Sequence, residues 1–120
     1  MSVDLSYLEK MAGGDVATKK AMLELLHNEL SEKIPQIPRL LKSRDWDAIH
    51  RFSHHLKSTV VFSGNKTLIR ANQELLDMME DRKHNPPKNP DPARADQLAR
   101  VISTQGQRVQ REVAQILKKL

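Results

Sequence analysis

Residues 45–64 read DWDAIHRFSHHLKSTVVFSG, and this stretch carries the clearest helical pattern in the chain. Its apolar and small residues recur every three or four positions, which is the spacing of one face of an α-helix. The residues of that face are Trp46, Ile49, Ser53, Leu56, Val60 and Ser63. Ser43 or Asp45 can cap the start of the helix, and Gly64 with Asn65 forms a turn after it. We therefore predict a helix that ends near residue 63 and buries this face.

Helical spacing continues on the N-terminal side of this stretch. It predicts a short helix over residues 4–12, with Ser6 and Glu9 spaced as a capping box, and a long helix that begins after Asp15. The residues expected to be buried in the long helix are Met22, Leu25 or Leu26, Leu30, Ile34, Ile37 and Leu41. Two prolines interrupt it, and we expect a kink or a break because each removes a backbone donor and collides with the preceding turn. They are Pro35 and Pro38.

Two more helices are predicted on the C-terminal side. The first has Leu68, Ala71, Leu75 and Met78 or Met79 in register and fades near Lys83. Residues 84–91 contain three prolines and are interpreted as an extended surface loop. Asp91 and Pro92 then serve as the N-cap and first residue of the last helix, where Gly106 is a weak point because glycine costs about 1 kcal/mol relative to alanine. The residues expected to be buried in it are Leu98, Val101 or Ile102, Val109, Val113, Ile116 and Leu120.

These helices predict an all-α fold for the whole chain. Short connections between long amphipathic helices favour antiparallel neighbours. We therefore expect an up-down-up-down four-helix bundle with a short additional N-terminal helix. Residues 1–120 are expected to form a single domain, because nothing in the sequence marks a second one.

Composition excludes several classes of function. The 120 residues include no cysteine, which rules out thiol catalysis, thiolate metal sites and disulfides. No apolar run approaches the length of about 20 residues that spans a bilayer, so we expect no membrane partner. The first residues lack the pattern of a secretion signal, which favours a cytoplasmic location. The 20 basic and 15 acidic residues are interleaved, so the formal charge of +5 is interpreted as a solvated surface. We expect no nucleic-acid partner, and a basic helical nucleic-acid-binding module is kept as an alternative.

The outward face of the central helix has an unusual composition. At about 100° per residue, His54 lies roughly 130° from the centre of the buried face and is expected to face solvent. An exposed imidazole is mostly neutral at neutral pH and can act as a nucleophile. Lys57, three residues on, can place its ammonium near a dianionic group on that ring, and small Ser58 leaves room for the group. Because phosphoryl transfer needs mainly positioning and charge stabilisation, these residues suit a phosphoryl carrier.

At this point the sequence resembles a known family. Residues 54–58 read HHLKS, which is similar to the H-x-L-K-G signature of histidine-containing phosphotransfer (HPt) domains, the phosphocarriers of two-component phosphorelays. The family often has a GD-W-x-x-L lead-in, which residues 45–49 resemble, and a glycine and a leucine at the positions of Gly64 and Leu68. The resemblance covers about residues 4–80.

The resemblance implies a function and a set of roles. His54 would be the phosphoacceptor, Lys57 would stabilise the phosphoryl group, and Ser58 would stand where the family usually has glycine. The partners would be receiver domains and a hybrid histidine kinase, and the magnesium ion would belong to the receiver, so no cofactor is expected. HPt domains generally lack kinase activity of their own, so the chain is predicted to be a phosphotransfer intermediate and not an enzyme. The alternative is a pseudo-HPt domain that docks receivers without carrying phosphate, motivated by Ser58.

The remaining residues of the outward face are assigned as follows. His50, Ser58 and Val61 are expected to line the receiver docking face. His55 lies about 100° round the helix from His54 and is expected to be a flank residue or a partly buried one. His50 and His54 have the spacing of a metal pair, but no third ligand is evident, so no metal site is predicted.

Overall fold

A computed structural model describes residues 1–120 as helices joined by turns and loops, with no β-strand. The helices are α1 (Ser6–Ala12), α2 (Val16–Lys33), α3 (Ile37–Ser43), α4 (Trp46–Val60), α5 (Lys66–Asp81) and α6 (Pro92–Lys118). Single 3-10 turns at Ile34–Gln36 and Val61–Ser63 follow α2 and α4. The predicted all-α class is confirmed. No helix combines the length and apolar character that crossing a membrane requires.

Four of the helices share one core. Contacts join α4 to α5, α5 to α6, α6 to α2 and α2 back to α4, while α1 packs on α2 and on the turn after α4. Each of the four helices contributes side chains that are almost completely buried, among them Leu23, Leu26, Leu30, Leu56, Leu68, Leu75, Met79, Ile102 and Val109. Burial of this kind supplies most of the stability of a helix in a protein, since isolated helices are marginal in water.

The proline break occurs where it was predicted. The α2 helix ends at Lys33, Pro35 lies in the 3-10 turn that follows, and Pro38 occupies the first turn of α3. Proline is tolerated in a first turn because the amide hydrogen it lacks would have no partner within the helix. The chain then reverses at Arg44, which has a left-handed backbone with φ 53°.

Side-chain caps explain where three helices begin. Asp45 accepts a hydrogen bond from the Ala48 amide (3.1 Å) at the start of α4. Asn65 and Asp91 act in the same way at α5 and α6. The predicted capping box of α1 is wrong, because Leu5 is the N-cap there. The hydroxyl of Ser6 donates instead to Asp4 (2.6 Å), which leaves Glu9 free to pair with Lys19.

Burial corrects the sequence reading at a few positions. Leu26 is buried and Leu25 is 51% exposed, while Leu23, which was not predicted, is completely buried. Leu120 was expected in the core but is 46% exposed, because it lies beyond the end of α6. The sequence also left open Met78 or Met79 and Val101 or Ile102. The fully buried residues are Met79 and Ile102.

Two glycines permit close approaches between segments. Gly106 is buried in α6, and a β-carbon there would lie 2.6 Å from Cδ1 of Ile34, so the glycine is a packing contact as well as a poor helix former. Gly64 has φ +62°, and a β-carbon on it would collide with the backbone carbonyl of Asp4. The Asp4 amide also donates to the Ser63 carbonyl (2.9 Å), so the N-terminal segment is held across the turn after α4.

Candidate functional site

One side of the α4 helix is buried and the other is exposed. Ile49, Ser53 and Leu56 are buried against the other helices, whereas His54 and Lys57 are exposed. Trp46, predicted on the buried face, is partly buried and packs against the core. The helical spacing therefore predicted correctly which side of α4 faces the core.

An open depression surrounds His54. Its walls come from α4, from the turn that follows it and from α2, and its lining residues are Glu29, Lys33, His54, His55, Lys57, Ser58 and Val61. Four of the predicted site residues therefore meet in one place. The remaining one, His50, does not line the depression. An exposed imidazole in an open depression lined by two lysines and one glutamate is accessible to a large partner.

The Ser58 hydroxyl is directed toward its own helix. Its Oγ donates a hydrogen bond to the backbone carbonyl of His55, over 3.2 Å. This is a common arrangement for serine within a helix. Ser58 therefore makes no hydrogen bond to the His54 ring, and its small side chain leaves the depression open.

His50 lies beside the depression and is mostly covered. Only 17% of its side chain is exposed, and its Nε2 is 3.9 Å from the Glu80 carboxylate. Its ring meets that of His54 edge-on, with centroids 6.4 Å apart. Burial lowers the pKa of His50 and the charge of Lys83 lowers it further, while Glu80 opposes them. This lowered pKa favours the neutral form of His50 next to His54.

Partial burial, one of the two expectations for His55, is wrong. Its side chain is exposed, its ring centroid is 6.0 Å from that of His54, and it lines the same depression. Its side chain points in a different direction about the α4 axis from that of His54, but no other helix covers that side of α4. Any assay of His54 therefore needs a His55 control.

Two residues of the depression were not found from the sequence. Glu29 and Lys33 lie one turn apart on α2, with their charged groups 4.0 Å apart. Their side chains are only 20% and 12% exposed, which is low for charged residues. Their spacing of four residues is visible in the sequence and suggests an ion pair. Nothing in the sequence, however, indicated which side of α2 faces His54.

Apolar surface adjoins the depression. Val61 also lines a second hollow, together with Tyr7 and Ile69, and the Tyr7 ring stacks on Phe62 with centroids 6.1 Å apart. Leu25 is exposed one turn before Glu29 on the same side of α2. Exposed apolar side chains next to a polar site are typical of a surface that contacts another protein.

No group of three or more histidine, aspartate or glutamate side chains is arranged to hold a metal ion. Comparison of the chain with family models, with curated proteins and with solved structures finds no match.

Proposed function

We propose that the protein is a histidine phosphocarrier of a two-component phosphorelay, in which His54 accepts a phosphoryl group from one receiver domain and passes it to another. The observation that carries the proposal is the exposed His54 imidazole in an open depression that Lys57 also lines. The local resemblance to HPt domains supports the same function. An up-down-up-down arrangement of α2, α4, α5 and α6, with α1 in addition, is part of the proposal.

The transfer step needs little chemistry from the chain itself. A ring nitrogen of neutral His54 attacks the phosphorus of a receiver phosphoaspartate with its lone pair. The new P–N bond forms as the P–O bond breaks, and the aspartate carboxylate leaves with the electron pair. The other ring nitrogen keeps its proton, and Lys57 balances charge on the phosphoryl oxygens. The reverse step delivers the group to the next receiver.

The receiver would dock over the depression and the apolar surface beside it. Val61 and Leu25 flank the site, and Ser58 leaves space for the aspartyl phosphate. The receiver would supply the magnesium ion, and a hybrid histidine kinase would be the upstream source. The carrier would have no kinase activity of its own and would act in the cytoplasm.

The test is transfer of radiolabelled phosphate from a panel of phosphorylated receiver domains to the wild-type protein, His54→Gln and His55→Gln. We expect label that is acid-labile, base-stable and lost only in His54→Gln. Full labelling of His54→Gln would overturn the proposal. Receiver binding without any label would favour the docking-only alternative.

A further inference from the structure

We infer that Lys33 on α2 is a second cation for the phosphoryl group on His54, and that Glu29 is the counter-ion that holds this cation before phosphorylation. This inference rests on the proposed function and deepens it. It gives α2 an electrostatic part in a site whose other charged residue, Lys57, lies on α4.

The position of Lys33 favours this role. It lines the same depression as His54 and Lys57, although it is contributed by a different helix. Its side chain is only 12% exposed, so most of its stem is packed against the protein, and the residue lines the depression. A long side chain that is already ordered loses less conformational entropy when its charged end binds an anion.

The ion pair that Lys33 makes is loose. Its Nζ lies 4.0 Å from Oε1 of Glu29, which is too long for a hydrogen bond. By contrast, Arg94 donates two hydrogen bonds to Glu74, at 2.5 and 2.8 Å. The Lys33 ammonium can therefore leave Glu29 for a stronger anion without breaking a hydrogen bond.

The charges explain why a second cation is needed. The phosphoryl group itself carries up to about −2 at neutral pH, and once the ring proton of the phosphorylated imidazole is released, Lys57 supplies a single positive charge against it. Glu29 would repel the phosphoryl group, so the α2 pair must rearrange when His54 is phosphorylated. Movement of Lys33 toward the phosphoryl oxygens places two ammonium groups around them. It follows that loss of Lys33 and loss of the Glu29 charge have opposite effects.

The experiment uses the intact protein phosphorylated by phosphoramidate, a small donor that requires no receiver. The pH titration of the phosphohistidine ³¹P resonance then reports the pKa of the phosphorylated histidine, whose ring nitrogen and phosphoryl oxygens both bind protons. Lys33→Gln should raise that pKa by about 0.5 unit, because the dianion loses a cation, and Glu29→Gln should lower it by a similar amount. Lys33→Arg should stay near wild type. Lys20→Gln and Glu32→Gln, which change exposed residues of α2 outside the depression, serve as controls.

The outcomes separate the two proposals. If wild type forms no phosphohistidine at His54, the proposed function fails and the inference fails with it. If phosphohistidine forms but Lys33→Gln and Glu29→Gln titrate like their controls, the inference alone is wrong. If Lys33→Gln does not fold, Glu29→Gln decides, because an unchanged or raised pKa in that variant contradicts the counter-ion role.

Discussion

The side-chain amide of Asn72 on α5 donates a hydrogen bond, 2.9 Å long, to the backbone carbonyl of Ser53, the residue before His54 on α4. Asn72 is buried, and its own carbonyl oxygen has no hydrogen-bond partner. This contact joins α5 to the turn of α4 that presents the candidate phosphoacceptor.

We expect Asn72→Ala to lower the free energy of unfolding by about 1 to 3 kcal/mol, because a buried hydrogen bond and packed volume are both lost. Urea unfolding followed by circular dichroism measures the change. The exposed Asn28 provides the matched control, and Asn28→Ala should stay within about 0.5 kcal/mol of wild type. Equal stability of Asn72→Ala and wild type would show that the contact contributes nothing net.

Ser58→Gly tests whether the serine limits phosphorylation. Since the hydroxyl is bonded to the His55 carbonyl, its removal should change the rate of His54 phosphorylation by phosphoramidate less than about threefold, equivalent to under about 0.7 kcal/mol. Glycine should also lower stability by about 0.5 kcal/mol through its poorer helix propensity. Phosphorylation that appears only in Ser58→Gly would instead identify the wild-type chain as a docking protein.

Leu25→Glu separates docking from chemistry. We expect this change on the exposed surface of α2 to reduce transfer from a phosphorylated receiver by about tenfold or more, the effect of removing one important interface residue. Phosphorylation by phosphoramidate should be unaffected, because the small donor makes no interface. Leu120→Glu, at the other exposed leucine, is the control. A parallel loss with both donors would contradict a docking role for Leu25.

The lowered pKa of His50 predicts that the stability of the protein depends on pH. Its pKa is lowered in the folded protein by burial, by Lys83 and Arg82 and by His54, with Glu80 opposing, whereas the unfolded value is about 6.5. Below about pH 6.5 the unfolded chain therefore binds more protons at this position. The free energy of unfolding should fall as the pH drops from about 6.5 toward the folded pKa.

The measurement is urea unfolding between pH 5 and pH 8 for wild type and His50→Gln. The variant should show a smaller loss of stability below about pH 6.5, and His84→Gln, altered in the exposed loop, is the control. Identical pH profiles for wild type and His50→Gln would refute this linkage.

Gly106 and Ile34 should be energetically coupled. Gly106→Ala gains about 1 kcal/mol of helix propensity, but the new methyl group meets Cδ1 of Ile34, and overpacking of this kind costs about 1 to 3 kcal/mol. In an Ile34→Val background that atom is absent, so the same change should be stabilising. A double-mutant cycle should give a coupling of about 1 kcal/mol or more. Additive effects would show that the core adjusts without strain.

Local chemistry in the sequence was sufficient to locate the helices and much of the buried surface. The caps at Asp45 and Asp91, the break at Pro35 and the turn at Gly64 depend on residues close together in the chain. The exposed position of His54 likewise follows from the helical repeat of α4. The phosphocarrier function came from a short motif and stays a proposal.

Contacts between helices decided the rest. A repeat of 3.6 residues gives the direction of a side chain about its own helix axis but does not say which other helix lies there. Three findings depend on how α2, α4 and α6 are placed against one another. They are the exposure of His55, the packing of Gly106 against Ile34, and the presence of Lys33 in the same depression as His54. That placement results from packing of the whole core, which no local pattern in the sequence specifies.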